Sequence, residues 1–145
     1  MVELDKFLKV VIFNFLFCNG DAHLKNFSLM ETEDGDFIFS PFYDLINTRI
    51  HVADTAFALH GGLFENSYRS NEYRNGGYPI GRDFVTFGEM LGLPEKRVSN
   101  VLQMFQSHQD KVNGLIDRSY LSPGSRRAYK SYYGQRRNLL VKGLG

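Results

Sequence analysis

With 145 residues, 43% of them hydrophobic and 23% charged, the chain is sized for one domain around one core. A formal net charge of +1 gives no ground for a nucleic-acid or membrane partner, and the single cysteine, Cys18, excludes an internal disulfide framework and fits a reducing cytoplasm. The charge is unevenly placed, however: residues 1–60 hold four Lys/Arg against nine Asp/Glu, and residues 117–145 hold seven against one.

Leu4, Phe7, Leu8, Val11, Ile12 and Phe15 recur at helical spacing and predict a helix over residues 3–18, apolar enough to be central in the core. Lys6 and Lys9 ahead of an apolar run resemble a secretory signal. Glu3 and Asp5 in the would-be basic region, Asn14 inside the run and Phe17 where a small residue is required argue against one. The run is also far short of the ~20 residues needed to cross a bilayer. The segment therefore reads as a helix of a cytoplasmic protein, with Cys18 as buried filler. Asn19-Gly20 is the expected stop, Gly20 supplying a left-handed cap.

A polar loop follows over residues 21–26. Residues 27–30 and 37–39 are short strand candidates, joined by a turn whose Asp34-Gly35 pair is a strong hairpin signal. Ser40-Pro41 ends the second strand, and residues 42–45 form another loop. A third extended segment is expected over residues 55–59, with His60 at its end rather than acting as a ligand. Residues 61–81, with five glycines and no period, read as a long surface loop. Asp83 caps a helix through Leu91, Gly92 stops it, and Pro94 opens a second helix whose stripe runs from Val98 through Val101, Leu102, Phe105, Val112 and Leu115 to Ile116. Ser122-Pro123 starts a third helix, reaching about Val141. The fold class is α+β, mainly α-helical, with a small β-hairpin.

The chemistry concentrates in Asn19-Gly20-Asp21-Ala22-His23-Leu24-Lys25-Asn26 and in Ser40-Pro41-Phe42-Tyr43-Asp44. Asp21 and Asn26, five residues apart after a buried helix, offer two oxygens, and the hairpin folds the chain back so that Asp44 can approach Asn26. A carboxylate and an amide oxygen on adjoining loops suit a hard cation such as Mg2+. The template for phosphoryl transfer uses this arrangement: a catalytic-loop Asp, an Asn five residues later, and an Asp on a second loop. Taken singly, Asp21 and Asn26 also fit a helix-end loop whose side chains bond local backbone. His51 and His108 show no metal-ligand spacing.

These two motifs, with the spacing between them, closely resemble those of the HipA-like serine/threonine kinases. The likeness is tight over residues 14–48 and loose over the whole chain. It implies the C-lobe portion of a protein-kinase-like fold over residues 1–145, with ATP and Mg2+ as cofactors, Asp21 as catalytic base, and Asn26 and Asp44 as metal ligands. His23 and Lys25 are candidates to stabilise charge on the transferred phosphoryl group, Lys25 through contact with the nucleotide phosphates. The alternatives are an inward-packed His23 bonded to a backbone carbonyl and a solvated Lys25. Family members act as toxins of toxin–antitoxin systems on protein substrates, alongside a HipB-like DNA-binding antitoxin.

A complete kinase of this type also needs a glycine-rich cover over the phosphates and a strand lysine from the other lobe, and the catalytic-loop helix begins here at the third residue. The expectation is a fragment of a longer kinase, a split-kinase subunit that joins a partner chain, or a remnant. As an isolated chain it is expected to be inactive and to self-associate or seek a partner through Phe42, Tyr43 and whichever of Leu4, Phe7 and Leu8 face the lost lobe, unless residues 61–81 fold over them. A non-catalytic interaction module and a fragment of a small-molecule or lipid kinase are the alternatives. The basic tail, with Arg126, Arg127, Lys130, Arg136, Arg137 and Lys142 among tyrosines, reads as a terminal helix with packed tyrosines and solvated cations; nucleic-acid binding is the other reading.

Overall fold

The apolar spacing near the amino terminus produces helix α1, Val2–Leu16, with Glu3 and Asp5 in the first turn where the helix dipole favours acids. Leu8, Ile12 and Phe15 are fully buried, and each such side chain is worth ~1.5–3 kcal/mol of transfer free energy. The computed structural model describes residues 2–53, 55–58 and 61–144. Strands β1 (Leu29–Glu31) and β2 (Phe37–Phe39) follow as an antiparallel hairpin, with Leu29 opposite Phe39 and Glu31 opposite Phe37. Gly35 takes the turn at φ 80°, as the Asp-Gly signal predicts. β1 begins two residues later than expected.

The hairpin is pinned to the core by Phe7. Its ring lies 5.7 Å from Phe27, 6.0 Å from Phe39 and 6.2 Å from Phe87, in edge, stacked and tilted contacts, the kind of aromatic cluster that adds to plain area burial. Glu3 secures the outer edge of β2 by accepting the Phe39 N–H at 2.6 Å.

Residues 56–58 form bends and residue 55 belongs to no regular element, so the expected third strand does not form there; residues 59 and 60, and so the expectation for His60, lie outside the described residues. The stretch 61–81 is more ordered than its glycines suggest. A short helix, α2 (Asn71–Gly76), is capped by the Ser70 side chain and closed by Gly77 at φ 73°. Its anchor is Asp83, whose buried carboxylate accepts the Ser70 N–H and hydroxyl, both at 2.8 Å, and the Ile80 N–H at 2.9 Å. Asp83 thus sits inside helix α3 (Gly81–Met90) and caps it through Ile80 rather than standing at its start. Phe64 packs on Phe87 and Tyr73, so this segment folds against α3.

Pro94 opens α4 (Glu95–Gln106), but the apolar stripe does not continue as one helix. The chain breaks at Ser107 and His108, whose side chains both bond the Met104 carbonyl, and restarts as α5 (Gln109–Asp117). Gly88 lets α3 meet α4 closely, because a β-carbon there would strike the Val98 side chain. Helix α6 (Pro123–Val141) begins with Ser122 capping the Ser125 N–H, as Ser-Pro predicts.

The result is mainly helical with one small two-stranded antiparallel sheet among the described residues. The core joins Leu8, Ile12 and Phe15 of α1 to Phe84 of α3, Val98, Val101 and Leu102 of α4, and Leu140 of α6. No helix among the described residues is long and apolar enough to cross a membrane. The tail does more than expose its cations. Arg136 is buried, its guanidinium 3.9 Å from the Tyr78 ring centroid and 4.8 Å from that of Phe15. Desolvated contacts of this kind are worth about 2 kcal/mol, against a desolvation penalty of several kcal/mol for a buried ion; they offset that penalty only in part.

Candidate catalytic-loop site

Helix α1 ends by reversing the chain at Cys18, not Gly20: Cys18 takes the left-handed conformation at φ 56°. The Asn19 N–H reaches back to the Asn14 carbonyl at 2.8 Å and the Cys18 N–H to that of Phe15 at 3.3 Å, the paired bonds of a Schellman stop. A side chain in that conformation costs ~1–2 kcal/mol. Thr48 holds it in place. The Cys18 carbonyl accepts both the N–H and the hydroxyl of Thr48, at 3.1 and 3.0 Å, and the same hydroxyl oxygen accepts the Gly20 N–H at 2.9 Å.

Asn19 then ties the two motifs together. Its amide nitrogen donates to Asn14 Oδ1 at 3.1 Å and to the Asp44 carbonyl at 3.0 Å, while its Oδ1 accepts the Asp21 N–H at 3.2 Å. Asn19 and Asn14 are buried, so these bonds meet polar groups that would otherwise be left unpaired. Asp44 itself is left-handed at φ 55°, a conformation that Asp tolerates better than most residues.

The loop from Asp21 closes through a 3-10 turn, Leu24–Asn26. There the Asn26 amide donates to the Asp21 carbonyl at 3.1 Å and to Asp44 Oδ2 at 3.2 Å. Tyr43 braces the other side, its hydroxyl donating to the Lys25 carbonyl at 2.8 Å and lying 2.7 Å from Ser28 Oγ. Asp21, Asn26 and Asp44 therefore gather at one place on the surface, the first and last of them exposed. Lys25 is exposed beside them, with no carboxylate partner among the described residues. The His23 ring turns inward, and its Nδ1 is buried without a hydrogen-bond partner, so the backbone bond expected of an inward-packed His23 is not made at that atom.

The donor set suits a hard cation. Asn26 Oδ1 and Asp44 Oδ1 are oxygens with no hydrogen-bond partner among the described residues. Among those residues no three His, Cys, Asp or Glu side chains assemble into a metal cage. One carboxylate and one amide make a partial set of the kind Mg2+ accepts, completed by water and phosphate oxygens. The family model of the HipA-like C-terminal domain matches residues 1–112. This chain belongs to that family. The HipA-like match spans the whole cluster, together with its supports Asn14, Asn19 and Thr48. Sequence reading missed those supports: Asn14 registered only as a break in an apolar run and Asn19 only as a helix stop. The signal that could have found them is a pair of amides five residues apart across a helix end.

Proposed function

We propose that this chain is the catalytic-loop half of a Mg2+-dependent serine/threonine protein kinase, the C-lobe portion of a kinase-like fold. What supports the reading is the Asn26 amide, which bridges the Asp21 carbonyl and the Asp44 carboxylate from an adjoining loop, together with the family membership. Asp21 accepts the proton of a substrate Ser or Thr hydroxyl. Asn26 and Asp44 hold Mg2+, which when bound neutralises phosphate charge. Lys25 contacts the phosphates. The glycine-rich cover and the strand lysine come from another segment or a partner chain, and the 145 residues alone are inactive. By family, the reading extends to a cytoplasmic toxin paired with a HipB-like antitoxin.

The test supplies a complementary ATP-binding lobe, fused or added, and measures transfer from ATP to a Ser/Thr protein substrate. Transfer should require Mg2+ and fall on the order of 10²–10⁴-fold in Asp21→Asn, the range for a general base. Undiminished transfer by Asp21→Asn overturns the assignment, as does robust transfer by the 145 residues without a second lobe.

A second reading, a non-catalytic docking module, is favoured by the apolar rim on the site's own loops, where Leu24 and Ile46 are exposed. A chain that binds a partner through this rim while never binding Mg2+ would establish it.

A further inference from the structure

Tyr43 leaves much of its side chain to solvent, being 44% exposed. A tyrosine kept for packing would bury its ring, where most of its hydrophobic gain lies. Here the hydroxyl is the part with fixed partners. A phenol carries one O–H proton, and the Lys25 carbonyl, which can only accept, takes it at 2.8 Å. The 2.7 Å contact between the phenol oxygen and Ser28 Oγ must then run the other way, with Ser28 donating. A directed chain of hydrogen bonds results, from Ser28 through Tyr43 to the Lys25 carbonyl.

That chain lies alongside the pair of candidate cation ligands. Lys25 precedes Asn26 and Tyr43 precedes Asp44, so the Tyr43–Lys25 and Asn26–Asp44 bonds are consecutive rungs, each joining positions 18 apart. Ser28 is fixed in turn, because its carbonyl accepts the Ser40 N–H at 2.9 Å at the open end of the hairpin. On the far side the Asp44 carbonyl is held by the Asn19 amide at 3.0 Å. Asp44 is thus located through its own backbone and through the preceding side chain, while its Oδ1 keeps no hydrogen-bond partner among the described residues.

We propose that Tyr43 is a positioning residue for the cation site: its hydroxyl, oriented by Ser28, sets the separation at which Asn26 Oδ1 and the Asp44 carboxylate share one ion. This role rests on the cation-binding reading of Asn26 and Asp44 and assigns part of the affinity to a side chain that touches no ion. Contacts that orient metal ligands from outside commonly carry about 10–100-fold in affinity.

The experiment is titration of the 145-residue chain with Mn2+, followed by water-proton relaxation, with urea melts of the same variants. Tyr43→Phe keeps the ring and removes the hydroxyl. It should weaken Mn2+ binding about tenfold or more while unfolding at nearly the urea midpoint of the parent. Ser28→Ala should weaken binding by less, and adding it to Tyr43→Phe should cost nothing further, because Ser28 acts only through the phenol oxygen; such non-additivity marks coupled groups. Tyr120→Phe, the same chemical change on a fully exposed tyrosine, should bind as the parent does. Parent-like affinity in Tyr43→Phe, with binding still lost in Asp44→Asn, overturns the positioning role and leaves the cation site standing. So does a loss of affinity that merely follows a fall in the urea midpoint. A full further loss from Ser28→Ala in the Tyr43→Phe background overturns the directed chain. No Mn2+ binding by the parent chain overturns the cation reading and the role of Tyr43 with it.

Discussion

The side-chain nitrogen of Asn26 stands 3.2 Å from Oδ2 of Asp44, a residue 18 positions further along the chain. An amide proton here fills the place beside a carboxylate that a cation would otherwise take. On the proposed function a cation held by this pair would displace that hydrogen bond. Asp44→Asn and Asn26→Ala should each weaken Mg2+ binding at least ~100-fold, since outer-shell changes alone reach that range. Stability should shift by no more than about 0.5 kcal/mol, as for surface positions. Titration with Mn2+ as a paramagnetic substitute, alongside urea melts, checks both; unchanged broadening in Asp44→Asn would remove the metal assignment.

Asn19 should behave in the opposite way. Asn19→Ala removes three side-chain hydrogen bonds and leaves the buried Asn14 Oδ1 unpaired. The expected loss is about 2–4 kcal/mol, readable as a lower urea midpoint with an unchanged slope. A near-neutral substitution would mean that the loop is held by Thr48 alone.

Asp83→Ala should cost about 3 kcal/mol, because a buried carboxylate with three donors is lost and the donors are stranded. The damage should be local first. Limited proteolysis should cut within residues 61–80 well before α4 or α6, and simultaneous cleavage everywhere would contradict that.

Acid should destabilise the fold through α1. Burial alone would raise the pKa of Asp5, but hydrogen bonds from Lys9 and Arg97, at 2.7 and 2.8 Å, outweigh it and hold the value below the ordinary 3.8. Glu3 is lowered from 4.5, first by Lys6 and then by the Phe39 N–H. Because these folded-state values lie below the unfolded ones, the unfolded chain takes up protons first as the pH falls. The stabilisation is present above pH 4.5 and is lost as the pH drops through the folded values. Asp5→Asn should flatten this acid slope in melts across the range; a slope identical to that of the parent would place the sensitivity elsewhere.

The rim of the site should drive association. Phe37 is 60% exposed and Leu24 74%, Tyr43, Leu45 and Ile46 around Asp44 in sequence are exposed too, and large exposed apolar surface marks an interaction face. Light scattering over a concentration series should show a rising apparent mass, reduced by Phe37→Glu. A strictly monomeric chain at high concentration would leave the rim without a partner. Of Leu4, Phe7 and Leu8, any of which could have faced a missing lobe, Leu8 is fully buried and Leu4 is exposed, as is Tyr43.

Much of the scaffold was legible because its signals are local. The helical period expected over residues 3–18, the Asp34-Gly35 turn and the Ser122-Pro123 start each act within a few residues, and each element formed, the first as Val2–Leu16. The break between α4 and α5 was not legible, because the apolar stripe runs on through Ile116 while Ser107 and His108 stop the helix with side-chain bonds that leave no periodic trace. Helix α2 was hidden for a related reason: it is six residues long, and its anchor, Asp83, lies in the next helix. At the site, the motif brought Asp21, Asn26 and Asp44 into view, but Asn14, Asn19 and Thr48 act through contacts across as many as 30 positions. Polar residues of this kind look like interruptions until the fold gives them partners.

The bond from Asn19 back to Asn14 gives α1 a duty that its composition hides. Each residue of an α-helix turns the chain by about 100°, so adding or deleting one residue between Phe15 and the bulk of α1 would swing Asn14 out of line with the loop, or else rotate the packed face of Leu8 and Ile12 into solvent. Both cannot be kept. The loop of Asp21 and Asn26 thus takes its rotational phase from a helix that carries neither residue, and the spacing from Leu8 to Asp21 is fixed by geometry at both ends.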